Sequence, residues 1–201
     1  MTMIRRFLPL TLLCTLVFVG CDTADEPDGD TFPLRPDVSH EASFVFDAGT
    51  LGAGDTYTES QTELSQAVIN DSNFGPEDIA TAQIVPGSVE LQIDFPGGEE
   101  NTIDVSSATL TLSADGVADQ VVASGSDFSL AILTTNAQFR REVLEIADGD
   151  ITEFLRQDSF VGTFSMDVAG AGEEEYQFTV TFDVDASVNA VAPLPLPAES
   201  F

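Results

Sequence analysis

The sequence predicts an all-β fold, an antiparallel β-sandwich of about seven to nine strands with one or two short helices. Three observations lead to that class. Apolar and polar residues alternate with period two over much of the chain. The cleanest run is Tyr176, Phe178, Val180, Phe182 and Val184, interleaved with Gln177, Thr179, Thr181, Asp183 and Asp185. Such alternation describes a strand with one buried and one wet face. Turn signals such as Pro96-Gly-Gly98 and Asp115-Gly116 punctuate the runs, and helical spacing is confined to brief stretches.

The elements follow in order. Ser43–Asp47 is a strand, with Gly49, Gly52 and Gly54 as turn signals and Thr56–Ser60 as the next strand. Gln61–Asn70 predicts a short helix, because Leu64, Ala67 and Val68 fall at i, i+3 and i+4. Gly75-Pro-Glu-Asp78 reads as a helix-start turn. Ile84–Phe95 reads as one strand, with Val89, Leu91, Ile93 and Phe95 on a single face. Val105–Ser113 and Val117–Ala123 form a hairpin about Asp115-Gly116. Phe128–Leu133 is β-like, and Arg140–Ala147 fits either period. Ile151–Gln157 predicts a short helix, with Asp150 as N-cap and Glu153 three residues on. The closing hairpin has Phe160, Phe164, Met166 and Val168 on one face of its first strand, with Gly162 among them.

The organisation is one domain with tails. Residues 1–20 form a signal peptide, 21–39 an acidic flexible tether, 40–190 the sandwich and 191–201 a Pro-rich tail. Arg5 and Arg6 precede the apolar run Phe7–Val19, and acid follows at once in Asp22, Asp25 and Glu26. A helix spanning a bilayer needs about 20 apolar residues, so this run reads as an export signal. Its end, Phe18-Val19-Gly20-Cys21, resembles the lipobox of bacterial lipoprotein precursors, with Phe18 where leucine is usual. The resemblance implies cleavage before Cys21, lipidation of Cys21 and anchoring at the outer membrane of a cell envelope, on either its periplasmic or its outer side. Cys21-Asp-Thr-Ala-Asp-Glu26 is also similar to the acidic export signal of surface lipoproteins in some Gram-negative bacteria.

Charge excludes some partners and points to a habitat. The chain carries 35 acidic residues, no lysine and a net charge of −29. Phosphate binding needs clustered Lys and Arg, so nucleic acid is not an expected partner. An acid excess without lysine resembles the proteomes of extreme halophiles, where carboxylates keep a surface hydrated. Cysteine offers nothing to a disulfide or metal site, because Cys14 leaves with the signal and Cys21 takes lipid.

Catalytic sets are equally sparse. His40 is the sole histidine and stands where tether meets fold. That place suits an exposed strand edge better than the base of a nucleophile. Calcium is the one cofactor the residues suggest: Asp148, Asp150 and Glu153 put three carboxylates in one turn region, with helix capping as the competing explanation. Arg140, Arg141 and Arg156 read as local partners of Glu142, Glu145 or Glu153. Tyr176 reads as core. The resulting expectation is a lipid-anchored, acidic envelope protein with a non-catalytic binding or structural role, with the membrane and an envelope protein as partners. A carboxylate-based, glycosidase-type hydrolase and a calcium-dependent adhesion or assembly module are the alternatives.

Salt is the test of the charge reading. The screening length falls from about 10 Å at 0.1 M to about 3 Å at 1 M. The melting temperature should therefore rise steeply between low salt and molar KCl or NaCl, as self-repulsion is removed. A melting temperature that is flat over that range would refute the halophilic reading.

Overall fold

The computed structural model describes residues 31–34, 40–94, 101–132, 141–171 and 175–189. They build the expected all-β sandwich of two antiparallel sheets. The strands are β1 (Thr31–Pro33), β2 (Glu41–Thr50), β3 (Thr56–Leu64), β4 (Ile79–Ile84), β5 (Glu90–Asp94), β6 (Asn101–Ala114), β7 (Val117–Ile132), β8 (Arg141–Val143), β9 (Glu145–Ile146), β10 (Ser159–Ala171) and β11 (Glu175–Asn189). Two short helices, α1 (Ser65–Ile69) and α2 (Thr152–Leu155), lie between strands.

The first sheet is organised by β11. Its residues 175–183 pair with β2 and its last residues with β1. The Leu34 N–H donates to Ala186 O at 2.8 Å and the Val184 N–H to His40 O at 2.7 Å. Residues 184 and 186 share a parity, so β1 and β2 lie in succession along one edge of β11. The opposite edge takes β4 and then β5, and Val85 N–H bonds Asp183 O between them at 2.9 Å. Two sheet positions are thus each filled by two strands, which is why the strands outnumber the sequence expectation. β8 extends the sheet beyond β5.

The second sheet runs β3-β10-β6-β7-β9. The chain passes between sheets at Leu144, which is buried. Its N–H bonds Val89 O of the first sheet at 2.9 Å, and Ala147 N–H bonds Val122 O of the second at 2.9 Å. Gly125 makes room for this corner, since a Cβ there would stand 2.8 Å from the Leu144 Cδ2.

The core is aromatic. Phe44 and Phe46 of β2 meet Phe160 and Phe164 of β10, with ring centroids 6.0 Å apart for Phe44–Phe160 and 5.5 Å for Phe46–Phe164. Phe178 and Phe182 of β11 join the same cluster, and Tyr176 is buried beside Phe178 as expected. Gly162 sits under the Phe44 ring, where a Cβ would approach its carbons to 2.6 Å. β2 carries an irregularity opposite Tyr176 and Gln177, with Gly49 at φ +62°, a left-handed conformation that glycine adopts without penalty.

Several local expectations are corrected. The closing hairpin does not form: β10 pairs with β3 and β6 in the second sheet and β11 with β2, β4 and β5 in the first, so their apolar faces meet across the core. The helix expected from Gln61 begins at Ser65, because Gln61 to Leu64 continue β3 and pair with β10. The single strand expected over Ile84–Phe95 is two: β4 ends at Ile84, and a turn with Gly87 at φ +80° leads to β5. Val117–Ala123 and the β-like run from Phe128 are one long strand, β7, whose irregularity beside Ala123 keeps both halves paired with β6. The ambiguous Arg140–Ala147 segment yields β8 and β9, with Arg140 outside the described residues. His40 is buried, not exposed. Its Nδ1 lies 3.3 Å from Val68 O and its Nε2 3.1 Å from Leu34 O, so α1 and the end of β1 close over the ring. β1 itself falls within the segment read as tether. Cys21, Phe95 and the Pro-rich tail lie outside the described residues.

Core substitutions should separate cleanly from surface ones. Phe178→Ala should cost about 3–5 kcal/mol, and Gly162→Ala about 1–3 kcal/mol through overpacking against Phe44. Thr179→Ser, on the solvent face of β11, should stay within about 0.5 kcal/mol. Urea unfolding of the three variants measures the order, and a neutral Gly162→Ala would contradict the packing described.

Candidate functional site

The two sheets present opposite surfaces to solvent. Alternation along β3, β10, β6 and β7 turns Tyr57, Phe164, Leu110 and Ala123 toward the core and their neighbours outward. The outward neighbours are mostly hydroxylated. Register sets them in rows: Thr58, Ser165, Thr109 and Ser124 form one, and Ser60, Thr163 and Thr111 form the next, ending at Val121. Strands lie roughly 4.7–4.9 Å apart and alternate residues roughly 6.6–6.8 Å apart, so the hydroxyls form a two-dimensional array. β-branched threonine suits such positions, since it packs well on a pleated surface and pairs across strands.

The array is cross-linked. The hydroxyls of Thr58 and Ser165 are hydrogen-bonded at 3.0 Å, and those of Ser60 and Thr163 at 2.8 Å. In the row beyond Thr58 the Thr56 and Ser107 hydroxyls each donate to the Asp167 carboxylate at 2.8 Å. These two bonds, Thr56 first, hold the Asp167 carboxyl below its ordinary range. Asp167 is the one acidic residue in these three rows, while farther along the sheet Asp104 of β6, which accepts the Ser129 hydroxyl, and Asp119 and Asp127 of β7 are exposed.

The outer face of the other sheet is acidic. It carries Glu41 and Asp47 on β2, Glu90 on β5, and Glu175, Asp183 and Asp185 on β11. Asp183 stands directly opposite Glu41 in the register, a like-charge pair that costs stability unless screened. Arg141 answers Glu90 at 3.0 Å.

A groove of about 400 Å³ borders the hydroxyl face along β7. Ser107, Thr109, Ser124 and Ser126 line it from the sheet, and Glu142 and Glu145 from β8 and β9. On the far side, β3 ends the sheet with polar side chains turned inward. Gln61 Oε1 accepts the Val45 N–H of β2 at 3.2 Å, and Tyr57 donates to Glu59. Desolvation raises the Glu63 carboxyl. Inward-pointing charges of this kind discourage edge-to-edge pairing.

The residues singled out for calcium sit elsewhere. Asp148, Asp150 and Glu153 all line a pocket of about 450 Å³ beside α2. Each is engaged within the chain. Asp150 Oδ1 accepts the Thr152 N–H at 3.1 Å and hydroxyl at 2.7 Å, and these bonds lower its pKa. Asp148 Oδ1 accepts the Asp150 N–H at 3.2 Å. Glu153 pairs with Arg156 at 2.7 Å, the i, i+3 contact expected, and Arg156 also donates to Ile79 O and Ala80 O at 3.0 Å. Among the described residues, no group of three or more His, Cys, Asp or Glu is placed to hold a metal ion.

Sequence reasoning did not single out the hydroxyl face or its groove. The signal present in the sequence was the Ser/Thr content of every second position in four segments. Only strand order reveals that these positions are neighbours.

No family model matches the chain, and no curated protein matches it. A solved structure titled Desmodium yellow mottle tymovirus aligns with 87% of this chain and 98% of its own, at 12% identity and a TM-score of 0.29. At those values the likeness carries no inference about this chain.

The Asp167 network predicts a titration. Its carboxyl should titrate below the ordinary value of about 3.9. A carboxyl depressed in the folded state stabilises the fold above its unfolded pKa, and that contribution is lost as pH falls through the folded pKa. Replacing Thr56 and Ser107 together by Ala should return Asp167 toward the ordinary value, as read by carboxyl-carbon NMR. An unchanged titration would show that the two hydroxyls do not set it.

Proposed function

We propose that the chain is an exported, lipid-anchored, non-catalytic binding module of the cell envelope that docks an uncharged partner through the hydroxyl face of its five-stranded sheet. The segregation of charge carries this reading. A chain with a net charge of −29 places, among the described residues, six carboxylates on one outer face and keeps three central rows of the other free of acid but for Asp167. An uncharged face lets a neutral partner approach without desolvating carboxylates, which is costly. The lipobox-like Phe18–Cys21 and the acidic residues after it support the envelope address, since two or more acyl chains anchor stably where one does not.

The test uses washed native envelopes and three forms of the chain. The lipidated protein should survive a carbonate wash. Cys21→Ser should be released by that wash yet still sediment with envelopes in molar salt. Adding Thr58→Glu and Ser60→Glu, both at exposed positions of β3, should abolish that residual retention. Persistence of Cys21→Ser after carbonate would refute the anchor, and undiminished retention of the glutamate variant would refute the face.

A further inference from the structure

We infer that the groove along β7 is a subsite for a neutral glycan chain. The inference rests on the proposed binding face and names its ligand class. The groove offers the hydroxyls of Thr109, Ser124 and Ser126, the Ser107 oxygen as an acceptor (its proton goes to Asp167), and the carboxylates of Glu142 and Glu145. Each hydroxyl both donates and accepts, and each carboxylate only accepts. A sugar ring, whose hydroxyls also donate and accept, satisfies both kinds of group. Its bonds to carboxylate are charge-assisted and stronger than neutral ones. The volume of about 400 Å³ lies within the range of small-molecule pockets.

Charge selects among glycans. Among the described residues no cationic side chain lines the groove, so a polyuronate is repelled by Glu142 and Glu145. A polycation would be drawn to those two carboxylates, but an extended one would gain more on the opposite face, among Glu41, Asp47, Asp183 and Asp185. A chain that leaves the groove across the sheet meets Thr111, Thr163 and Ser60 instead, which suits a neutral polymer. Among the described residues no aromatic side chain lines the groove, so stacking from them does not contribute. Affinity then rests on hydrogen bonds, and binding is weak for one chain and additive along a polymer.

The experiment titrates the lipidated protein, purified in detergent at molar salt, by calorimetry. The probes are cellohexaose, maltohexaose and laminarihexaose, with hexagalacturonate and chitosan hexamer for contrast. At least one neutral hexasaccharide should bind at millimolar concentration or below, and hexagalacturonate should not. Glu142→Gln with Glu145→Gln should weaken that binding about tenfold or more, with the circular dichroism spectrum and melting curve retained. Ser124→Ala with Ser126→Ala should weaken it severalfold. The inference is overturned if no neutral hexasaccharide binds, if the groove variants bind as the parent does, or if the chitosan hexamer is preferred. Shorter sugars appearing during the titration would overturn the non-catalytic reading and assign the two glutamates to hydrolysis. The two proposals fail separately. If the β3 glutamate variant loses envelope retention while the groove variants keep it, the face stands and the glycan subsite falls. If all of them keep it, both fall.

Discussion

The contact between the Phe44 ring and Gly162 is the constraint on which the sandwich depends. Sheets pack about 10 Å apart, and that gap must be filled by side chains from both inner faces without voids or overlap. Here Phe44, Phe46, Phe160, Phe164, Phe178 and Phe182 all enter the same gap. Six rings of that size fit only if one position opposite them is empty, and Gly162 supplies it. With β10 seated against β2 in this way, the outward residues of β10 are fixed as well. Ser165 falls beside Thr58, and Thr163 beside Ser60. The hydroxyl face is therefore a consequence of how the core closes beneath it.

β11 does for the first sheet what the aromatic cluster does for the core. One strand of 15 residues pairs with β1, β2, β4 and β5, so its register determines where the chain's acid is displayed. The same strand carries the solvent-side cost of that display, because Asp183 faces Glu41 across the ladder. Screening would relieve this repulsion, which links the expected salt dependence of stability to the acid-rich face. The second sheet escapes the cost by carrying hydroxyls, which meet across strands by hydrogen bonding rather than by repulsion.

Much of the fold was legible in the sequence. The alternation from Tyr176 to Val184 identifies a strand and its buried face, and that from Phe160 to Val168 places Gly162 on an apolar face; that the two strands face each other across the core instead of pairing is a matter of sheet topology. Asp115-Gly116 identified a hairpin, and Gly116 indeed takes φ +74° there. Misreadings arose where two periods compete over a short span. Leu64, Ala67 and Val68 have helical spacing, but pairing with β10 holds Leu64 in β3, where it is 60% exposed. The burial of His40 is not legible in the sequence because it comes from α1, 28 residues away, and from the end of β1, a segment whose composition reads as tether.

The sequence by itself determined the fold class, the apolar face of the long strands and the excess of acid, because all three follow from local periodicity and composition. It also held the lipobox-like signature at Cys21. Tertiary structure alone decided which polar faces would lie together. Thr58, Ser165, Thr109 and Ser124 come from four separate strands, and become one row only through the order β3-β10-β6-β7. The groove beside them needs a further event, the passage of the chain between sheets at Leu144, which brings Glu142 and Glu145 to the margin of β7. Alternation specifies the face a residue occupies and is silent about its neighbour across the strand, because pairing is set by register between segments distant in sequence.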